Sequence, residues 1–233
     1  MRTKRHEAIA LLEDLAQSIF LEMFTTPGGA SSPWKIRGIE DVCSLIVDCV
    51  NRTAPTVDYV TPYKMIRTTN VKNGKVNLSE VRYVERETFE RWNRRTTPLP
   101  GDVILTREAP VGEVGIIKTD DQVFLGQRLM LYRVDPKYAT PEYLLAAFRS
   151  PFVQKQLDRS SSGSTVKHLP LPACRSIQVP SPPISLQLEF TARVKAIDSL
   201  KLGHVHQLQK LDALFGSLQQ RAFQGDLWDN RDN

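Results

Sequence analysis

An apolar residue recurs at every third or fourth position near the C-terminus, and this repeat constrains the fold more than any other feature of the chain. Its apolar members are Phe190, Val194, Ile197, Leu208, Leu211, Phe215 and Leu218, with Lys201 and His204 at two consecutive positions between them. A 3.5-residue period sustained for about five heptads predicts a coiled-coil seam, because a helix lying on a globular core carries a wider apolar stripe. We therefore expect one long helix over residues 184–224.

The two polar positions in this seam have two interpretations. Polar residues there can fix the register and the partner of a coiled coil at some cost in stability. Alternatively, Leu200, Leu202 and Val205 take over the contact as the helix drifts. His204 and His206 do not share a helical face and have no cysteine or carboxylate nearby, so the pattern does not indicate a metal site.

A shorter amphipathic pattern opens the chain. The same steps of three and four separate Ile9, Leu12, Ala16, Ile19 and Met23. The pattern predicts a helix over residues 3–24, about 33 Å long at 1.5 Å per residue, that ends before a Pro-Gly-Gly breaker. Two heptad helices of unequal length cannot both bury their seams on one small domain. A helical partner, or a second copy of the chain, is therefore expected.

Between the two helices the pattern mixes strands and helices. Short β-branched or apolar runs bounded by Gly, Pro and Asp predict strands over residues 103–105, 112–118 and 129–134. Helices are expected over residues 41–51, 85–93, 141–148 and 151–157. We therefore predict an α+β fold with one globular mixed α/β domain over residues 26–183. A helix over residues 1–25 and a coiled-coil helix over residues 184–224 would bracket it, followed by a tail at residues 225–233.

The composition is typical of a soluble cytoplasmic protein. The chain has 233 residues, enough to bury a sizeable core. Cys43, Cys49 and Cys174 are odd in number, lack metal-ligand spacing and lie in apolar surroundings, which favours buried thiols in a reducing compartment. The N-terminus lacks the uninterrupted apolar stretch of a signal peptide, and no run reaches membrane-spanning length. We expect no contact with a membrane.

Positive charge is concentrated in two windows that contain no acidic residue. Residues 59–79 hold Lys64, Arg67, Lys72 and Lys75, and residues 159–175 hold three further basic residues. Both windows are rich in Ser and Thr or Asn. Cations with short polar side chains are what a nucleic-acid backbone requires, although a solvated surface is an equally good explanation of charge alone.

The motifs of a catalyst are incomplete in this sequence. Ser181-Pro-Pro-Ile184 lacks the aromatic residue of the amino-methyltransferase motif, and no glycine-rich turn follows a strand. Asp135-Pro-Lys137 lacks a second carboxylate at a convincing distance for a nuclease, and there is no phosphate-binding loop. We expect a binding protein with no catalytic residue, metal or cofactor of its own. A stand-alone DNA methyltransferase or nuclease is the enzyme alternative.

A longer segment resembles a known family. Residues 99–115 read LPGDVILTREAPVGEVG and residues 125–133 read LGQRLMLYR. These resemble the target-recognition domains of type I restriction-modification specificity (S) subunits. Residues 66–76, 163–169 and 179–187 resemble further segments of the family, and the first helix resembles its central conserved helix. The likeness extends to Leu227.

The resemblance implies a function in DNA recognition. Family members usually carry two recognition domains separated by paired helices, whereas this sequence has one domain, so it resembles a half-subunit or the C-terminal half. Each domain would read one part of a split double-stranded DNA target. Methyltransferase (M) subunits would dock on the helices, bringing the restriction (R) subunit, with S-adenosylmethionine bound on the M subunit. Pairing with a second copy or another S half is expected. The alternative is a coiled-coil interaction or regulatory protein that binds the modification subunit without reading DNA.

Candidate DNA contacts follow from the basic windows and the arginines at strand ends. The first group is Lys64, Arg67, Thr68, Thr69, Asn70 and Lys72, the second is Ser162, Ser164, Thr165, Lys167 and His168, and Arg107 and Arg128 complete the set. Arginine suits guanine and lysine suits phosphate. The alternative for both turn arginines is an ion pair with Glu108 or Glu113, and Arg128 could also buttress the fold.

Overall fold

Helices form both ends of the computed structural model, which describes residues 2–26, 33–161 and 167–224. The helices are α1 (Arg2–Phe24), α2 (Ile39–Val42), α3 (Arg86–Trp92), α4 (Pro141–Arg149), α5 (Pro151–Ser160), α6 (Leu171–Arg175) and α7 (Ile184–Gln224). The strands are β1 (Ile36–Gly38), β2 (Cys43–Asp48), β3 (Lys64–Ile66), β4 (Val71–Lys72), β5 (Gly74–Val76), β6 (Arg82–Tyr83), β7 (Val103–Arg107), β8 (Val111–Ile116), β9 (Val123–Leu125), β10 (Leu129–Val134) and β11 (Gln178–Pro180). The predicted α+β class is confirmed.

The chain divides into two compact units. One is Ile19–Thr191, which contains all of these strands, and the other combines the residues up to Ser18 with those from Ala192 onward. In the first unit, a mixed six-stranded sheet has the order β2-β10-β7-β8-β5-β4. A three-stranded sheet has the order β6-β3-β9, with β3 parallel to β9, and β1 pairs with β11.

The central strands of the larger sheet are covered on both faces. Val103 and Leu105 belong to a buried cluster that includes Phe148 of α4, whereas Ile104 belongs to a second buried cluster with Ile66. Successive side chains of a strand point to opposite faces, so the three consecutive residues Val103–Leu105 must all be apolar to fill both clusters. This explains why the sequence shows a continuous apolar run there.

One predicted helix is wrong. The expected helix over residues 41–51 ends at Val42, and Cys43–Asp48 forms the edge strand β2 instead. This strand pairs antiparallel with β10, placing Val47 opposite Leu131, and the Ser44 hydroxyl donates to backbone oxygens of the same partner strand. A short apolar run fits either structure locally, so the hydrogen-bonding edge offered by β10 decides the outcome.

Four aromatic rings join the helix ends to the globular unit. Phe20 and Phe24 of α1 pack against Tyr143, at centroid distances of 5.5 and 4.9 Å, and against Phe190 of α7, at 5.8 and 5.6 Å. All four side chains are buried. The Tyr143 hydroxyl donates to the Pro180 carbonyl at 2.8 Å, which satisfies the polar tip of the ring inside this cluster.

In the described residues, the helical unit consists of parts of α1 and α7. Arg5 of α1 contacts Gln207 of α7, while the end of α1 packs near the start of α7, so the two helices run antiparallel. Leu200 and Leu202 are 60% and 70% exposed, whereas the seam positions Lys201 and His204 are half-buried, as is Val205. The seam thus continues through its polar positions. Further along α7, Leu214, Phe215, Leu218 and Phe223 are exposed, and Phe223 is 90% accessible.

A buried ion pair fixes the start of β7 to the centre of the sheet. Asp102 is 1% exposed, and its two carboxylate oxygens accept hydrogen bonds from Arg133 of β10, both at 2.8 Å. The same carboxylate accepts from the Leu99 amide at 2.8 Å and so closes the Leu99–Asp102 turn. The pairing raises the pKa of the Arg133 guanidinium further above its ordinary value. Bidentate geometry of this kind is strong and specific.

We expect Asp102→Ala to lower the free energy of unfolding by about 3–5 kcal/mol, because it leaves Arg133 without its buried partner. The measurement is the urea-denaturation midpoint of the purified chain. Glu90→Ala serves as the matched control, since it breaks the exposed Arg86–Glu90 pair within α3. The control midpoint should not move measurably. Equal effects of the two substitutions would show that the Asp102 pair is not a stability determinant.

Candidate nucleic-acid interface

A basic cleft of about 320 Å³ opens where several distant segments of the globular unit meet. Its polar lining consists of Thr53, Arg67, Thr68, Arg82, Gln127 and Arg128. Ala54, Met65 and Ala109 form apolar walls, and Glu108 supplies a carboxylate. Three guanidinium groups therefore converge with one acid and one amide, which is a chemistry suited to polar, partly anionic ligands.

The turn between β9 and β10 requires a glycine. The Gly126 amide donates to the Ile66 carbonyl at 2.7 Å, and a Cβ at this position would lie only 2.7 Å from the same oxygen. The close approach of the β9 end to β3 therefore excludes any side chain. Arg128 follows with a φ of +66°, a left-handed conformation uncommon for residues other than glycine. This backbone path places Gln127 and Arg128 on the cleft.

Asn70 holds the turn that carries Arg67. Its Oδ1 accepts from the Arg67 amide at 2.9 Å and its Nδ2 donates to the Glu80 carbonyl at 3.2 Å. Arg67 Nη2 donates to the same carbonyl at 2.9 Å. Asn70 is 3% exposed, so both ends of its amide are engaged inside the protein. Of the first predicted group, Arg67 and Thr68 line the cleft.

The two turn arginines occupy different environments. Arg107 is buried, its Nε donates to the Leu169 carbonyl at 3.0 Å, and its Nη2 lies 3.4 Å from His168 Nε2. Arg128 is 41% exposed on its side chain, and its Nε lies 2.6 Å from a carboxylate oxygen of Glu108. The ion-pair alternative thus holds for Arg128, which still faces the cleft. His168 Nδ1 is 3.8 Å from the same carboxylate.

The other predicted residues are spread more widely. Lys64 pairs with Asp121 at 2.9 Å, and this hydrogen bond lowers the pKa of the Asp121 carboxyl. Lys72 is exposed on β4, and Thr69 is exposed in the preceding turn. Lys167 lies 3.6 Å from Asp158, with both side chains mostly exposed. Ser162, Ser164 and Thr165 lie outside the described residues.

Sequence patterns did not single out three polar residues of the cleft, Thr53, Arg82 and Gln127. Arg82 lies opposite Met65 in the β3–β6 pair and is exposed. Gln127 is also exposed, and its Oε1 lies 3.4 Å from the Thr53 hydroxyl. No motif surrounds Arg82 or Thr53. The sequence could have indicated Gln127, because it lies between Gly126 and the predicted contact Arg128 in the LGQR turn.

Burial controls the chemistry of two thiols. Desolvation raises the pKa of Cys43 to about 12 and the pKa of Cys174 to about 11. Both thiols are therefore protonated at neutral pH, and a thiol rather than a thiolate is a poor nucleophile and metal ligand. Within residues 2–26, 33–161 and 167–224, no group of three or more His, Cys, Asp or Glu side chains could hold a metal ion. No helix in these ranges is long and apolar enough to cross a membrane.

Comparisons with known proteins match this chain to one family. The family model of the type I restriction modification DNA specificity domain matches residues 31–212. The type I restriction enzyme EcoBI specificity subunit of Escherichia coli is 26% identical over 185 residues, which are 77% of this chain and 38% of that subunit.

Solved structures show the same fold. The HsdS subunit from Thermoanaerobacter tengcongensis superposes with a TM-score of 0.54 at 19% identity, over 97% of this chain and 54% of that one. A chain from a structural study of complex assembly in the type I R-M system gives a TM-score of 0.56 at 20% identity, over 97% and 55%. The chain thus spans about half or less of the length of these relatives. With most of its residues matched by the family model, the chain belongs to the family of type I restriction modification DNA specificity domains.

Proposed function

We propose that this chain reads one part of a bipartite double-stranded DNA target as a half-length specificity subunit of a type I restriction-modification complex. The observation that carries the proposal is the basic cleft, found in a chain of the DNA specificity family. Arginines from three separated segments, Arg67, Arg82 and Arg128, converge there. Arginine is the side chain that most often makes specific contacts to base edges.

Around the cleft, exposed cations would bind the phosphate backbone. Lys72 lies on β4, close in sequence to Arg67 at the cleft wall, and its side chain is exposed. Phosphate contacts position a protein on DNA and supply the salt-dependent part of its affinity, whereas base-edge contacts supply specificity. In this proposal Lys72 and Lys167 serve the first purpose and the cleft serves the second.

Catalysis belongs to other subunits in this proposal. The chain contributes no catalytic residue and binds no cofactor, while S-adenosylmethionine binds to the methyltransferase subunit and the restriction subunit cleaves DNA. The complex acts in the cytoplasm. The support is family membership, because the matching E. coli protein is a specificity subunit.

The helical unit would dock the partners. Its seam between α1 and α7 continues beyond Gln207 into an exposed apolar stretch that includes Phe215 and Leu218. Exposed apolar residues at heptad positions are typical of a surface that another helix covers. We propose that a second copy or another S half covers this stretch, and that the methyltransferase subunit binds the paired helices.

A second candidate function follows from the same surface. The exposed apolar end of α7 would also suit a coiled-coil regulatory protein that binds the modification subunit without reading DNA. DNA binding and its salt dependence separate the two functions, because only the first requires contacts to phosphates.

Lys72→Ala should weaken binding to all duplexes alike. Loss of one phosphate contact should make the slope of log affinity against log salt less steep by about 0.9. Fluorescence anisotropy with a labelled duplex at several salt concentrations gives this slope. Lys155→Ala on α5 is the matched control, since it removes another exposed lysine and should leave the slope unchanged. A parent chain that binds no duplex would favour the regulatory function.

Self-association should depend on the end of α7. We expect the parent chain to dimerise with increasing concentration in sedimentation velocity runs, and Phe215→Glu with Leu218→Glu to shift it toward monomer. Leu202→Glu is the control, because Leu202 is 70% exposed and lies off the seam. A parent chain that remains monomeric at every concentration would contradict pairing with a second copy.

A further inference from the structure

Some hydrogen-bonding side chains of the interface already have partners among the described residues, whereas others do not. Both ends of the Asn70 amide form hydrogen bonds with the protein backbone, and one nitrogen of Arg67 donates to the Glu80 carbonyl. Arg107 is buried against the Leu169 carbonyl. A side chain that reads a base must offer its donors and acceptors to the DNA. Asn70 and Arg107, which sequence patterns favour, are therefore committed to holding the fold, and Arg67 is committed in part.

The Arg82 guanidinium and the Gln127 amide nitrogen remain available for hydrogen bonds to a ligand. Within the described part of the chain, the exposed Arg82 side chain forms no hydrogen bond or ion pair with another residue. The Gln127 side chain is exposed, and its Oε1 accepts one long hydrogen bond, 3.4 Å from the Thr53 hydroxyl. Both residues line the same cleft.

The two side chains match two different bases. The parallel donors of an arginine fit the O6 and N7 acceptors of guanine in the major groove. The amide of a glutamine offers one donor and one acceptor, which fit N7 and N6 of adenine.

Phosphate fits the cleft less well than a base edge does. A phosphate presents acceptors only, so it could bond to the amide nitrogen of Gln127 but could not donate to its oxygen. Glu108 places a carboxylate in the same lining, which opposes an anion at this position. A base edge, by contrast, offers both donors and acceptors.

Resting on the proposed function, we propose that Arg82 and Gln127 are the specificity-determining residues of this cleft. Arg82 reads a guanine and Gln127 reads an adenine within the half-target. Arg67 and Asn70 are positioning residues, which hold the wall of the cleft through the shared Glu80 carbonyl.

The test is a selection of duplexes from a pool with a randomised central region, carried out with the full chain. The parent should enrich one motif that contains a G·C and an A·T position. Arg82→Ala should lower the preference at the G·C position alone, by roughly 5- to 150-fold, and Gln127→Ala should act in the same way on the A·T position. Both side chains are exposed, so thermal melting should show folded variants.

Two further variants separate base reading from charge. Arg82→Lys keeps the charge but replaces the fixed pair of donors by a point charge, so it should retain overall affinity and weaken the guanine preference. Lys72→Ala should bind more weakly and still enrich the parent motif.

Failure of the proposed function and failure of the residue assignment would give different results. If the parent enriches no motif, the proposed function itself fails. If the parent enriches a motif that both alanine variants also enrich unchanged, the function stands and the assignment of these two residues is overturned. If Arg82→Ala weakens all duplexes equally and flattens the salt dependence, Arg82 contacts phosphate, which likewise overturns it.

Discussion

The antiparallel pairing of β7 with β10 is the interaction on which the rest of the globular unit depends. Its register places Thr106 opposite Leu129, and the Arg107 amide then donates to the Arg128 carbonyl at 2.8 Å. The loop that carries Glu108 therefore lies beside the Gln127–Arg128 turn. A slip of one residue would turn every side chain of the strand to the opposite face. Such a slip would exchange the β7 side chains of the two buried clusters and separate two walls of the cleft at once.

Local sequence patterns predict the elements whose structure depends on interactions within a single segment of the chain. The two terminal helices and β10 follow from periodicity, whereas Cys43–Asp48 depends on a strand edge supplied by residues far along the chain. The same limit applies to the cleft. Arg67 and Arg128 were predicted and do line it. Asn70 instead donates to the Glu80 carbonyl, ten positions away, and no pattern in the sequence predicts this partner.

The Leu99–Asp102 turn serves the scaffold. The Asp102 carboxylate accepts hydrogen bonds from the Leu99 amide and from Arg133, so its oxygens are already occupied within the protein. The likeness to the specificity family rests strongly on this stretch, whereas Arg82 lies outside it and is exposed. The residues that hold this turn and the exposed residues proposed to read DNA are therefore largely separate. The exposed set can vary at little cost in stability, because surface substitutions away from buried features usually change stability only slightly.

The cluster of Phe20, Phe24, Tyr143 and Phe190 determines how small a folding piece can be. Three of its four rings come from the two terminal helices, yet they pack inside the globular unit. A fragment restricted to residues 26–183 would lose these three rings and leave Tyr143 against water. Large apolar surfaces uncovered in this way promote aggregation. The minimal autonomous piece therefore includes a turn of each helix, and recognition domains exchanged between relatives should be joined within the helices, outside the aromatic cluster.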